Sequence, residues 1–298
     1  MNRRRFIYNS SIASLSVLGL NSCNQLFRDV KITILHSNDV HSQIEPFPVN
    51  HNRFPGRGGF ARRASIFNEI RSVNPNTLIF DAGDIFQGTP YFNFFQGELE
   101  LKLMKEMGYN AATIGNHEFD AGLDILKKNI LSTNFQFIIS NYDFVNTELE
   151  GLTTPYKIYK KEGIKIGVFG LGIELKGLVN PILYKETKYY DPIEISDEMV
   201  KILKDKQKCD LIICVSHLGH EYNSNKISDT KLAQLTSDID LIIGGHTHTF
   251  LKEPLITKNK KNKNVIINQV GRGGVYLGRI DFNFTNSSKN DTNSLLEV

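Results

Sequence analysis

Ala111-Ala112-Thr113-Ile114-Gly115-Asn116-His117-Glu118-Phe119-Asp120 starts as a small apolar run and turns, at one glycine, into a cluster of polar side chains. A strand that ends in such a cluster is the usual way an open α/β sheet presents a ligand site. The same transition occurs four more times. The run Lys31–His36 leads to Asp39-Val40-His41, Thr77–Asp81 to Gly83-Asp84, Asp210–Ser216 to His217, and Asp240–Ile243 to Gly245-His246-Thr247-His248. Ala111–Ile114, Phe135–Ser140, Ile164–Leu171 and Val265–Gln269 are further expected strands. Helical patterns alternate with them at Phe60–Arg71, Leu99–Met107, Ile193–Gln207 and Lys231–Leu235, with Gly108 placed as a C-cap. That alternation predicts an α/β protein with helices on sheet faces, its strand ends aimed at one place.

Composition agrees with an enzyme-sized body. The chain has 298 residues, 40% hydrophobic and 22% charged, with 9 prolines, which excludes disordered, collagen-like and coiled-coil classes. No apolar run approaches the roughly 18 residues of a membrane span, so a polytopic protein is excluded. The formal charge of +3 belongs to the first residues: without Arg3, Arg4 and Arg5 the 32 acidic side chains are matched one for one. A neutral body offers nucleic acid no general attraction, so no nucleic-acid partner is expected. Residues 1–23 read as an export signal. Arg3-Arg4-Arg5-Phe6-Ile7 is a twin-arginine start, Ile12–Leu20 is a short apolar stretch, and Leu20-Asn21-Ser22-Cys23 resembles the lipobox of bacterial lipoproteins, with Asn21 a departure from its usual small residues. The expectation is a periplasmic or cell-surface protein, held to a membrane only by a lipid at Cys23. Residues 24–284 are expected to form the folded body and 285–298 a frayed polar tail. Cys209 and Cys214 read as buried free thiols on opposite faces of one strand.

Singly, each polar cluster has an ordinary explanation: an Asx turn, a turn glycine or a cap. His-x-His is more specific, because alternate strand residues share a face and can grip one ion. Together, and in this order, the clusters resemble the calcineurin-like metallophosphoesterases. Gly58-Gly59-Phe60-Ala61-Arg62-Arg63, Gly97-Glu98, Gly115-Asn116-His117-Glu118-Phe119-Asp120, Ser140-Asn141 and Gly271-Arg272-Gly273-Gly274-Val275-Tyr276-Leu277-Gly278-Arg279 are similar to its 5′-nucleotidase branch. The likeness spans roughly residues 30–284. It implies a four-layer α/β/β/α sandwich and two divalent metal ions. Asp39, His41, Asp84 and His248 would hold one, and Asp84, Asn116, His217 and His246 the other, with Asp84 bridging. Imidazole, carboxylate and amide oxygen donors suit Mn, Zn or Fe, and Mg or Ca less well; the lack of thiolates argues against a structural zinc.

The implied reaction is phosphoester hydrolysis of a small-molecule substrate, most in keeping a 5′-nucleotide, by a hydroxide bridging the two metals. His117 would stabilise the transition state or protonate the leaving group, and Asp120 would orient it. Members of this branch usually carry a C-terminal domain that binds the nucleotide. The sequence ends at Val298, so either a separately encoded domain completes the cleft or this domain acts alone. Other readings are a phosphodiesterase or UDP-sugar-type hydrolase, a thiosulfate-ester hydrolase, and a non-catalytic metal-binding surface lipoprotein. That last class should lose a ligand or the His117/Asp120 pair, and all are present.

Among the remaining candidates, His36 and His51 read as a strand-end and a loop residue. His220 reads more as a solvated turn than as a group near the ligands, Glu118 as a group that orients a ligand, and Arg57, Arg62 and Arg63 equally as phosphate contacts or as solvated arginines at a helix start. The run Tyr91-Phe92-Asn93-Phe94-Phe95 is expected to pack in the core, ahead of lining a substrate cleft.

Overall fold

The computed structural model describes residues 29–285 and 289–298. The export-signal expectation for residues 1–23, Cys23 included, lies outside the described residues. Two six-stranded sheets face one another. In chain order the strands are β1 (Val30–Ser37), β2 (Thr77–Asp81), β3 (Ala111–Ala112), β4 (Gln136–Phe137), β5 (Tyr142–Asp143), β6 (Tyr156–Lys161), β7 (Ile164–Leu171), β8 (Lys188–Tyr189), β9 (Leu211–Ser216), β10 (Leu241–Ile243), β11 (Leu255–Lys258), β12 (Asn264–Asn268), β13 (Tyr276–Phe284) and β14 (Lys289–Glu297). One sheet has the order β14-β13-β1-β2-β3-β4, the other β11-β12-β10-β9-β7-β6, and β5 and β8 form a small ribbon.

The layers follow from alternation along the strands. Ile32 and Ile34 of β1, with Leu78 and Phe80 of β2, face Ile166, Val168, Leu211, Ile213, Leu241 and Ile243 of the second sheet in a central apolar layer. Leu35 and Ile79 turn the other way. They meet Phe67 of α1 (Phe60–Val73), Leu101 and Met104 of α3 (Glu98–Met107), and Leu126 and Ile130 of α4 (Leu123–Ser132). On the far side, Phe169, Ile212 and Ile242 meet Met199 and Val200 of α6 (Pro192–Val200) and Leu232 and Ala233 of α7 (Asp229–Leu235). The order helix, sheet, sheet, helix is the expected four-layer α/β/β/α sandwich. The sheets are stitched at one corner by Asn141, whose amide exchanges two 2.8 Å hydrogen bonds with Gly172 N–H and C=O as another backbone would.

Several expectations are corrected. Residues 289–298 are no frayed tail: Lys289–Glu297 pair with β13 from Phe284↔Lys289 to Tyr276↔Glu297, and Val298 is buried, its N–H on Val275 C=O and its C=O on Gly58 N–H. A polar edge strand draws its stability from the backbone ladder and needs no apolar alternation, so composition does not reveal it. Nor does the sequence pattern predict the edge strands β6 and β11, or β13, α2 (Pro90–Phe95), α4 and the one-turn α5 (Pro181–Tyr184). The expected helix Ile193–Gln207 is α6 followed by a π-helical turn over Lys201–Lys206. Cys209 and Cys214 are buried and free, but share one apolar layer, because Cys209 precedes β9.

Candidate metal centre

Five strands, β1, β2, β3, β9 and β10, deliver the five polar clusters at their C-terminal ends, so ligands far apart in sequence meet at one edge of the sandwich. The loops after β1 and β2 are laced together: Asp39 N–H donates to Gly83 C=O and His41 N–H to Asp84 C=O, both at 3.0 Å. Five side chains there sit on left-handed backbone: Asp39 (φ 48°), His41 (50°), Asp84 (55°), His246 (71°) and His248 (51°). Such a conformation costs a non-glycine residue roughly 1–2 kcal/mol. It persists where the surroundings over-determine it, and it clusters at functional sites.

Asp39, His41, Asp84 and His248 offer ligand atoms that all lie within 4.8 Å of one another, and Asp84, His217 and His246 form a second such group. Asp84 belongs to both. His41 and His248 bring their Nε2 atoms 2.9 Å apart, and Asp39 Oδ1 is 3.4 Å from the latter. In the second group Asn116 Oδ1 lies 2.9 Å from His246 Nδ1. His217 donates from Nδ1 to Ala82 C=O at 2.6 Å, which leaves Nε2 bare, buried and 3.0 Å from Asp84 Oδ2. A tautomer pinned by a backbone carbonyl is how metal-binding imidazoles are commonly set.

The electrostatics point the same way. Burial opposes charge on His217, yet the Asp84 carboxylate raises its imidazole to about 10. Burial would also raise Asp84, but His217 holds it far below the usual carboxylate range. The buried anion therefore demands a positive partner, which a proton or a metal ion can supply. His246 is pushed down to about 4 by burial and by the charge of His217, so its ring is neutral and its lone pair free to coordinate. The donor set fits two divalent cations sharing one carboxylate. Its imidazole and carboxylate mixture suits a first-row transition metal.

A family model described as Calcineurin-like phosphoesterase matches residues 32–250. The chain belongs to that family. A 5′-nucleotidase of Vibrio cholerae serotype O1 is 34% identical over 284 residues, covering 87% of this chain and 50% of the relative. Among solved structures, a 5′-nucleotidase precursor from Thermus thermophilus superposes with a TM-score of 0.79 at 29% identity, over 90% of this chain and 54% of the other. The calcineurin-like phosphoesterase YfkN from Bacillus subtilis gives 0.70 at 25% identity over 91% of both chains. The chain spans about half the length of the curated 5′-nucleotidases it matches.

In this member of the family the loops that carry the candidate ligands are held by side chains whose roles are only partly legible in sequence. Glu118 is fully buried and accepts from the backbone N–H of Asp84 (2.9 Å), Ile85 (2.7 Å), Phe86 (3.3 Å) and Gly115 (2.6 Å), clamping two loops. Burial and the Asp84 charge push its carboxyl up to about 7, against the pull of these N–H groups toward the ionised form. Glu118→Gln keeps one acceptor oxygen and turns an NH₂ onto two N–H donors. Urea unfolding of the variant is expected to show a loss of about 3 kcal/mol. A loss below about 1 kcal/mol would mean that the clamp does not hold the loops. Gln269 takes Thr247 Oγ1 (3.0 Å) and Thr249 N–H (2.6 Å) on one oxygen and donates to Gly245 C=O. Asn38 donates to Asp39 Oδ2 (2.5 Å) and Gly271 C=O (2.7 Å). Neither Asn38 nor Gln269 stands out in the sequence, because an amide at a strand end carries no local signal of the loop it braces.

His117 and Asp120 come together as expected: His117 Nδ1 donates to Asp120 Oδ2 at 2.7 Å, and the ring lines a cleft of about 290 Å³ shared with His41, His248 and Arg272. Burial lowers the tendency of His117 to charge, but the hydrogen bond to Asp120 and the charge of Asp84 win and raise it. The sequence candidates for phosphate contact lie elsewhere. Arg57 pairs with Glu297, Arg62 donates to Gly56 C=O, and Arg63 is buried with its guanidinium 4.0 Å over the Phe60 ring. Arg272 is the arginine in the cleft. His36 is a buried core residue that accepts from Asn268 Nδ2 at 3.1 Å, with burial lowering it to about 3. His51 caps a loop by accepting from Phe54 N–H at 2.9 Å. His220 is half-buried rather than a solvated turn, its N–H on Thr247 Oγ1. The aromatic run divides: Phe92 is core, while Tyr91, Phe94 and Phe95 line a groove.

Proposed function

We propose that this phosphoesterase hydrolyses small phosphate monoesters, 5′-nucleotides foremost, at a two-metal centre held by Asp39, His41, Asp84, Asn116, His217, His246 and His248. The observation that carries the reading is Asp84, one carboxylate shared by two ligand groups beside a cleft that also contains His117. When bound, Mn, Zn or Fe ions supply Lewis acidity and a nucleophilic water at neutral pH. The chain supplies the rest. The His117 backbone N–H steadies Asp84 Oδ1 at 2.9 Å, and its ring, fixed through Nδ1 by Asp120, presents Nε2 as the proton donor for the leaving oxygen. Arg272 supplies a guanidinium for the non-reacting phosphoryl oxygens. Steady-state kinetics of Arg272→Ala with 5′-AMP should show KM raised about tenfold and kcat changed far less, because the lost contact serves ground and transition states alike. An unchanged KM would remove Arg272 from the phosphate site.

Export to the periplasm or cell surface, with a lipid at Cys23, belongs to the same proposal and is supported by the twin-arginine start and Cys23. No helix among the described residues is long and apolar enough to cross a membrane. The deciding experiment is phosphate release from 5′-AMP by the purified protein loaded with Mn²⁺, with His117→Ala beside it. Release that depends on His117 supports a self-sufficient hydrolase. No release with two metals bound would favour a cleft completed by a separately encoded domain.

A further inference from the structure

Beside the cleft that holds the metal ligands lies a larger groove, about 760 Å³ against about 290 Å³. Both run between the same two segments, residues 40–48 and 87–95, and Gln43 lines both. Past Gln43 the chemistry changes. The cleft presents His41, His117, His248 and Arg272, whereas the groove presents Ile44, Pro46, Tyr91, Phe94 and Phe95, with Glu45 its single charged side chain. Phe94 and Phe95 are 81% and 48% exposed, and Tyr91 stacks on Phe95 with ring centroids 6.5 Å apart. Phe92 alone anchors α2 in the core, so folding does not require the outer rings. Exposed aromatics grouped around a concavity mark a binding surface. An apolar groove with one acid beside it suits a neutral planar group and repels a phosphate.

We infer that this groove is the leaving-group subsite of the phosphoesterase: it takes the planar base of a nucleoside ester while the phosphate lies among the metal ligands and Arg272. The inference rests on the hydrolase reading above and names the surface of this chain that selects the substrate. The volume is in the range of small-molecule sites, roughly 300–1,000 Å³. Stacking on aromatic rings recognises a base without needing a particular hydrogen-bond pattern.

The test compares 5′-AMP with ribose 5-phosphate, which has the same ester and no base. The native protein is expected to favour 5′-AMP in kcat/KM. Phe94→Ala/Phe95→Ala should lose about tenfold on 5′-AMP, mostly in KM, and nothing on ribose 5-phosphate. Equal losses on both esters, or none on 5′-AMP, overturn the subsite. Calorimetric titration with adenosine needs no turnover and should show the double variant binding about tenfold more weakly. Adenosine binding through these rings with neither ester hydrolysed would sink the reading of a self-sufficient hydrolase and leave the subsite standing. Hydrolysis with adenosine binding indifferent to the rings would do the reverse. If the substitutions instead convert a dimer to a monomer in sedimentation and leave selectivity intact, the rings serve a contact between copies and the inference falls.

Discussion

Asp84→Asn should leave the protein folded, depleted of metal and nearly inactive. Asparagine matches the carboxylate in shape and tolerates the left-handed φ of 55° at this position. The backbone N–H still donates to Glu118 at 2.9 Å, and the amide oxygen can still accept from His117 N–H. What disappears is the charge that both ligand groups share, and a neutral amide offers one oxygen donor where a carboxylate offers two. Two-metal hydrolysis needs both ions, so kcat is expected to fall by more than about 10³-fold, roughly 4 kcal/mol of barrier. Metal analysis of the dialysed protein should show less than one ion per chain, with thermal unfolding still cooperative. Two ions retained with native turnover would remove Asp84 from its bridging role.

The second large effect is expected at His117. His117→Ala should keep both metals, leave KM for 5′-AMP nearly constant and lower kcat by about 10²–10⁴, the usual contribution of a positioned acid. The size of the loss should depend on the leaving group. A nucleoside alkoxide needs a proton as the P–O bond breaks, whereas an acidic phenol leaves without one, so the same substitution should cost far less on an aryl phosphate. Equal losses on both esters would mean that His117 stabilises charge on the phosphoryl group and does not protonate the leaving oxygen. Asp120→Asn should have the same pattern at smaller amplitude, about tenfold, since it weakens the 2.7 Å bond that fixes the ring without removing the ring.

The residues that carry these two predictions are readable without any knowledge of the fold. Each follows a short β-branched run, and that juxtaposition is local in sequence. The short β-branched apolar runs in Lys31–His36 and Leu211–Ser216 are enough to predict strands, because a strand buried on both faces reads as a near-continuous apolar run. Edge elements escape that logic. β14 is exposed along most of its length and pairs through its backbone, which any non-proline residue can do.

The sequence by itself determined the α/β class and the five strand-end clusters from which the proposed metal donors come, since these depend on side-chain chemistry and on periods of a few residues. Only the tertiary structure decided what braces the loops and where the aromatic groove lies. Glu118 reaches Asp84 across 34 residues, Asn38 reaches Gly271 across 233, and Thr247 meets Gln269 from a neighbouring strand. It also decided that Phe92 goes inward while Phe94 and Phe95 stay in water, and that Arg272 reaches the cleft when Arg63 is buried. The physical reason is range. Propensity and periodicity act between near neighbours in the chain, whereas a backbone clamp or an exposed ring is defined by segments that only folding brings together.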